Sequence, residues 1–308
     1  MRALAGKLER RDYSYPASAR RLYDLLLAPV AATIDRYRVV CIVPHDVLWQ
    51  LPFNTLEESD GHPVIERLAI FYAPSLAMLR AAAHKRNRAL PSNDLLAFGN
   101  PTVGDRTKVR AKAVYFGASL GPLPDAEAEV RALAALYRPE RAHFFTRDKA
   151  REATFKSEAP RFRVLHLAMH AILDDRAPMF SALVMSTSAS DSHEDGLLEA
   201  GEILRMKLSA DIAVLSACDT ARGDIGSGEG VIGISWAFLV AGCPTTVVSQ
   251  WAVESAATAQ LMVEFHKQLL AGRSKADALR QAQLKLRKNP RYAHPFYWAS
   301  FVVVGAGT

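Results

Sequence analysis

The stretch IAVLSACDT, Ile212–Thr220, closes an apolar run with a cysteine, an acid and a hydroxyl in succession. The run from Ile212 to Ala217 reads as a strand buried on both faces, the kind that parallel sheets use. A thiol kept only for packing belongs inside such a run, whereas Cys218 stands where the chain leaves it. In open parallel sheets the loops at the carboxyl ends of strands diverge and leave a crevice, and reactive groups gather there.

The same grammar repeats on either side. RVLHLAMH (163–170) reads as a strand ending on His170, and LLAFGN (95–100), AHFFT (142–146), SALVMS (181–186), TTVVSQW (245–251) and SFVVVGA (300–306) read as further strands. Helical spacing is predicted over 125–137, 151–159, near 198–205, 231–242, 255–272 and 275–288. Strands alternating with helices of this length predict a mostly parallel sheet covered on both faces. Nearer the start, residues 17–35 carry Leu22, Leu25, Leu26 and Val30 at helical spacing; Val39–Val43 and the region near Leu68–Tyr72 read as strands, and Ser75 caps a helix through Ala83. The polar segments 84–94 and 101–112 read as exposed loop or boundary, which divides the chain into 1–115 and 116–308. No repeat of 20 to 50 residues is visible, so the chain is not itself a solenoid.

Bulk numbers narrow the class. The 308 residues are 50% hydrophobic and 23% charged, ordinary for a globular protein that buries one large core or two modest ones. Three cysteines without CxxC spacing argue against a disulfide framework or a zinc site and for a reducing compartment. The start MRALAGKLERRDYSYP has no signal-peptide block and no run approaches a membrane span, so a cytoplasmic protein is expected. The net charge of +6 is spread in short groups that read as solvated helix faces, without the dense basic surface that direct nucleic-acid binding needs.

His170 and Cys218 end their strands 48 residues apart. A nucleophilic cysteine with a histidine about 50 residues upstream is the caspase-type spacing. A thiol with an ordinary pKa of about 8.5 is mostly protonated at neutral pH, and an imidazole beside it either takes the proton or stabilises the thiolate as a cation. Against this stands plain packing, since cysteine is among the most buried residue types; Cys41, in mid-strand, and Cys243, between helix and strand, are read as packing residues.

Other motifs compete less well. Gly228–Gly233 matches GxGxxG, but ten residues separate it from the preceding strand where a dinucleotide-binding turn follows directly, so its glycines are read as close-packing positions. A P-loop is excluded by the absence of GK[ST]. His166 and His170 are four apart, yet they lie in a strand pattern with no third ligand, so no metal is expected and His166 is read as a packed histidine beneath the site. A G-x-S-x-G elbow is missing. Ser216 shares a strand face with Cys218 and is a candidate pocket residue; Asp219 reads either as pocket wall or as a turn residue.

HLAMH (166–170), LEAGEIL (198–204), VLSACDTARGD (214–224), GEGVIGISWAFLVAGC (228–243), VVSQWAVES (247–255), LLAGRSKADALRQAQ (269–283) and HPFYWASFVVVG (294–305), with VPHDVLWQLPFNTL and IFYAPSLAML before them, resemble the CHAT domain family over nearly the whole chain from about residue 17. The resemblance implies a caspase-like, separase-like α/β fold: a three-layer αβα sandwich on a mostly parallel central sheet, with 1–115 a degenerate pseudo-caspase-like half and 116–308 the catalytic half. It further implies a thiol protease with a His170/Cys218 dyad, backbone N–H groups of Ala171 and Cys218 for the oxyanion, and a substrate pocket that includes Ser216, Asp219 and Glu254. No cofactor is implied. The expected partners are a protein substrate and an activating or inhibitory protein acting through upstream TPR repeats, with no direct nucleic acid and no membrane. Two positions depart from the family: Ala171 replaces the usual glycine after the histidine, and Ser255 replaces the second of a pair of acids. Alanine keeps the N–H but resists positive φ, which leaves a catalytically silent CHAT module that binds a partner as the alternative.

Overall fold

The computed structural model describes residues 1–85, 91–114, 120–174, 176–188, 193–216, 220–222 and 229–308. Its strands are β1 (Val39–Ile42), β2 (Ala69–Tyr72), β3 (Asn93–Pro101), β4 (Ala142–Arg147), β5 (Phe162–Ala168), β6 (Ala171–Leu173), β7 (Ala182–Val184), β8 (Leu197–Glu199), β9 (Ile212–Leu215), β10 (Thr220–Arg222), β11 (Thr245–Ser249) and β12 (Phe301–Gly305). Eight of them form one sheet in the order β1-β2-β12-β11-β9-β5-β3-β4, parallel at every pairing except β11 with β12. The other four make a small sheet, β10-β6-β7-β8.

Side-chain alternation along β3 shows how the layers are built, because successive residues of a strand point to opposite faces. Leu95 and Ala97 pack with Val130 and Leu133 of the helix Pro124–Ala134. Leu96 and Phe98 face the other way, and Phe98 meets Phe155 of the helix Glu152–Glu158 edge-on, their centroids 5.7 Å apart. The first face is also covered by the helix Ser255–Leu270, against which Lys275–Arg287 packs; the second carries Glu229–Ala241 against β11. The result is a mixed αβ sandwich around a largely parallel sheet.

Gly99 permits the first layer to sit close: a Cβ there would lie 2.7 Å from Val130 Cγ2 and 2.8 Å from the Ala126 carbonyl oxygen. Any side chain would push that helix off the sheet, and with it Glu127 and Glu129.

Several expectations shift in position. The polar segment 101–112 was expected as loop but contains the helix Asp105–Val114, whose sequence DRTKVRAKAV offers no apolar stripe to read. The strand expected over 163–170 ends at Ala168, so His170 lies in the turn between β5 and β6. Strands from both sides of residue 115 share the large sheet: β3 lies between β4 and β5. No described helix is long and apolar enough to cross a membrane.

Candidate functional site

β5 and β9 are neighbours at the middle of the sheet, with Val164, Leu165, His166 and Leu167 opposite Ile212, Ala213, Val214 and Leu215. That pairing fixes an offset of 48 residues, the same number that separates His170 from Cys218 in sequence. Cys218 and Asp219 themselves lie outside the described residues. The chain is described on both sides of them: Leu215 pairs with Leu167, and Thr220 pairs with Ala171 where β10 runs parallel to β6.

His170 is 2% exposed. Its Nε2 lies 2.7 Å from the carbonyl oxygen of Gly121, and its own carbonyl accepts a hydrogen bond from Val184 N–H at 2.9 Å. A carbonyl can only accept, so Nε2 carries the proton and donates it. Nδ1 is the other ring nitrogen; it is buried and has no hydrogen-bond partner among the described residues. Ser216, one residue past β9, is likewise buried, and its Oγ has no partner among them. Gly121 was invisible to sequence reasoning, because the group it supplies is a main-chain carbonyl that every residue owns.

Ala171 begins β6 opposite Leu183, and it is not one of the non-glycine residues with positive φ, which among the described residues are Arg11, Asp46, Asn100 and Arg147. The backbone at this position therefore asks for nothing that alanine resists. Glu254 sits at the start of the helix Ser255–Leu270, where its Oε1 accepts from Arg291 Nη2 at 2.7 Å. Its charge is met by Arg291, and in the segment before it Trp251 is anchored by its Nε1–H to the Phe296 carbonyl at 3.0 Å.

His166 belongs to a different environment. It lies on the face of β5 covered by helices, fully buried, with Nδ1 3.1 Å from His266 Nε2 and Nε2 2.8 Å from Glu129 Oε1, a charge-pairing distance outside straight hydrogen-bond geometry. His266 Nδ1 in turn meets Tyr137 Oη at 2.8 Å. Burial, and then the neighbouring His166, hold the His266 imidazole well below its ordinary pKa, and burial raises the Tyr137 phenol. With the Glu129 carboxyl at one end as acceptor, a consistent donor order runs Tyr137 to His266, His266 to His166, His166 towards Glu129. His166 and His170 thus face separate partners.

Among the described residues one acidic trio has metal-like spacing, Glu152, Glu194 and Glu202. Its centre is taken by Lys156 Nζ, 2.7 Å from Glu152 Oε1, 2.8 Å from Glu202 Oε1 and in contact with Glu194. The glycine-rich GxGxxG run ends in a packing position: a Cβ on Gly233 would lie 2.6 Å from Pro178 Cβ. Cys243 is buried with its thiol 3.3 Å from the Thr245 carbonyl, and burial pushes the half-buried Cys41 thiol up to about 11.

A profile of the CHAT domain matches residues 16–306. Tetratricopeptide repeat protein 28 of Homo sapiens is 25% identical over 342 residues, taking in 97% of this chain and 13% of that protein; the Mus musculus protein is 25% identical over 333 residues, with 93% and 13% covered. The chain therefore spans about 13% of the length of the curated relatives it matches. Among solved structures, a chain of the Saccharomyces cerevisiae separase–securin complex superposes with a TM-score of 0.53 at 15% identity, over 92% of this chain and 17% of that one. A chain from the complex of Porphyromonas gingivalis RgpB pro- and mature domains superposes with a TM-score of 0.50 at 9% identity, over 78% and 55%. At these identities the likeness is one of fold alone.

Proposed function

Because the chain belongs to the CHAT domain family, we propose that it is a cysteine endopeptidase in which His170 and Cys218 form the dyad. The observation that carries this reading is the state of His170: one ring nitrogen fixed on the Gly121 carbonyl, the other buried and unpartnered among the described residues, in the turn that follows a strand whose neighbour leads to Cys218. The register on either side of 217–219, Leu215 with Leu167 and Thr220 with Ala171, supports the pairing of the two side chains.

In this mechanism the Gly121 carbonyl orients the imidazole and fixes its tautomer. Nδ1 takes the thiol proton, and the Cys218 sulfur adds to the scissile carbonyl carbon. Main-chain N–H groups of Ala171 and Cys218 stabilise the oxyanion. Collapse breaks the C–N bond, the leaving amine takes the proton from His170, and a thioester remains. A water molecule, giving a proton to Nδ1, attacks the thioester; the acid product leaves and the proton returns to sulfur. The extended backbone of Ala171 favours this reading over a silent binding module, because the alanine is not strained there. Ser216, Asp219 and Glu254 are assigned to the substrate pocket. Regulation through a protein partner or neighbouring TPR repeats is proposed from the name of the relatives alone.

Mass spectrometry of a lysate incubated with wild type or Cys218→Ala tests the assignment, together with thiol alkylation at neutral pH. The expected result is cleavage that requires Cys218, and labelling of Cys218 ahead of Cys41, whose raised pKa leaves little thiolate, and of buried Cys243. Labelling of Cys218 no faster than the other two, with no dependent cleavage, would leave the silent binding module.

A further inference from the structure

A cleft of about 490 Å³ opens on the far side of the loop that holds His170. Gly121 belongs to both: its carbonyl receives the His170 Nε2 proton, and it lines the cleft. The cleft lies at the carboxyl ends of β3 and β4, the edge of a parallel sheet where ligands are bound. Pro101, Pro122 and Pro124 wall it, so it is largely preformed.

Its polar lining is basic. Lys108, Arg131 and Arg147 face it against one carboxylate, Glu127. Glu127 is nearly fully buried and is fixed from three sides: Asn100 Nδ2 donates to it at 2.9 Å, Arg147 Nε at 2.8 Å, and Arg131 Nη2 also donates. The Arg147 hydrogen bond, with a second from Asn100, holds the Glu127 carboxyl below its ordinary pKa. Each guanidinium has five N–H donors in a fixed fork and uses one on Glu127, so the acid positions two cations whose side chains remain 72% and 67% exposed. Lys108 meets Asp105 at 3.4 Å, but that carboxylate is 98% exposed and the pair is screened by solvent.

The backbone is forced into this arrangement. Asn100 and Arg147 have φ of 48° and 53°, and the register between β3 and β4 shifts between Gly99 and Pro101 at this point. Asparagine tolerates the left-handed region; arginine rarely enters it, and such strain collects at binding sites. Asn100 also ties the cleft to the catalytic loop, since its Oδ1 accepts from Leu123 N–H at 2.7 Å, two residues from Gly121.

From this geometry we infer that the cleft is a subsite for a carboxylate side chain, Glu or Asp, of the polypeptide held at His170, with Arg147 and Arg131 as its receptors. The inference rests on the peptidase reading for the nature of the ligand, a peptide chain in extended form. Two forked guanidiniums match a carboxylate in both charge and shape, and the proline walls and the apolar Val103 and Leu120 suit its aliphatic stem.

The test uses the whole chain carrying Cys218→Ala, so that binding is read without turnover, immobilised and exposed to pools of random decapeptides in which one position is fixed as Glu or as Gln. At one or two positions the Glu pool should be retained on the order of ten-fold over its Gln counterpart, as expected for a bidentate charged contact. The preference should vanish in Arg131→Gln/Arg147→Gln. It should weaken in Lys108→Glu, which leaves the Glu127 contacts intact and so controls for folding; thermal melting checks each variant. Equal retention of Glu and Gln pools at any level, including none, overturns the inference, as does a preference that survives both variants. Cleavage and alkylation by the wild type are read separately: an arginine-dependent Glu preference without a reactive Cys218 retains the subsite and removes the peptidase, and the reverse pattern does the opposite.

Discussion

Within β5 His166 has a polar side chain close to each ring nitrogen, His266 at 3.1 Å and the Glu129 carboxylate at 2.8 Å, whereas four residues further on, in the turn just past that strand, His170 has one nitrogen hydrogen-bonded and the other with no hydrogen-bond partner among the described residues. Both are buried, so exposure does not distinguish them. What differs is spare capacity. A ring committed on both sides transmits order through the core, while a ring held at one nitrogen is oriented and still able to accept a proton. Packing and catalysis can thus use the same residue type on one short segment, separated by which atoms are left unsatisfied.

The contrast can be broken by exchanging what each histidine lacks. His170→Gln can still donate to the Gly121 carbonyl but cannot accept a proton usefully, so cleavage should fall by about 10²–10⁴-fold while the urea midpoint moves little; retained activity would remove His170 from the chemistry. His166→Ala has the converse signature. It strands the Glu129 carboxylate and the His266 ring in the interior and should cost about 3–5 kcal/mol of stability by urea denaturation, without altering the pH profile of activity in the folded fraction.

The third effect is smaller and depends on pH. The His266 imidazole is held below its ordinary pKa in the folded chain, so the unfolded chain binds more protons below pH about 6.5. Stability is therefore level above that pH and falls as the pH drops through it, by at most about 1.4 kcal/mol per pH unit for this group. His266→Gln should make the acid limb of a stability-against-pH curve shallower; an unchanged limb would place the acid sensitivity elsewhere. Smallest is Tyr137→Phe, which leaves the His266 Nδ1 acceptor without its donor at a cost of about 1–2 kcal/mol in the same assay, with the pH profile of cleavage unchanged.

What could be read from the sequence followed burial. IAVL and VLHLA were legible as strands because both of their faces are covered, and the helices Ser255–Leu270 and Lys275–Arg287 because each carries an apolar stripe. β6 and β8, three residues each, are too short to show a period, and nothing local announces that they form a second sheet. Ser75 was legible as a cap by its chemistry, and its Oγ accepts from Met78 N–H at 3.1 Å. Of the site, His170 was legible as a reactive group at a strand's end. The tautomer it adopts was not, because that depends on a carbonyl 49 residues upstream in a loop with no motif. Glu127 and its two arginines were equally silent: charged residues at helical spacing look like any solvated face until the sheet edge is folded beneath them.

The place of β12 in the large sheet sets an order on the birth of the molecule. β1 and β2 lie between residues 39 and 72, yet β2 reaches the rest of the sheet through residues 301–305, by the pairing of Tyr72 with Val304. A ribosome delivers the first two strands more than two hundred residues before the strand that must receive them. Until that last strand is made, the early pair of parallel strands has no edge to join, and its loop-closure entropy goes uncompensated. The strands β11-β9-β5-β3-β4 can pair with one another once residue 249 has been made, but β1 and β2 join them only after synthesis has passed residue 305, so the last pairing of the sheet is also its most non-local.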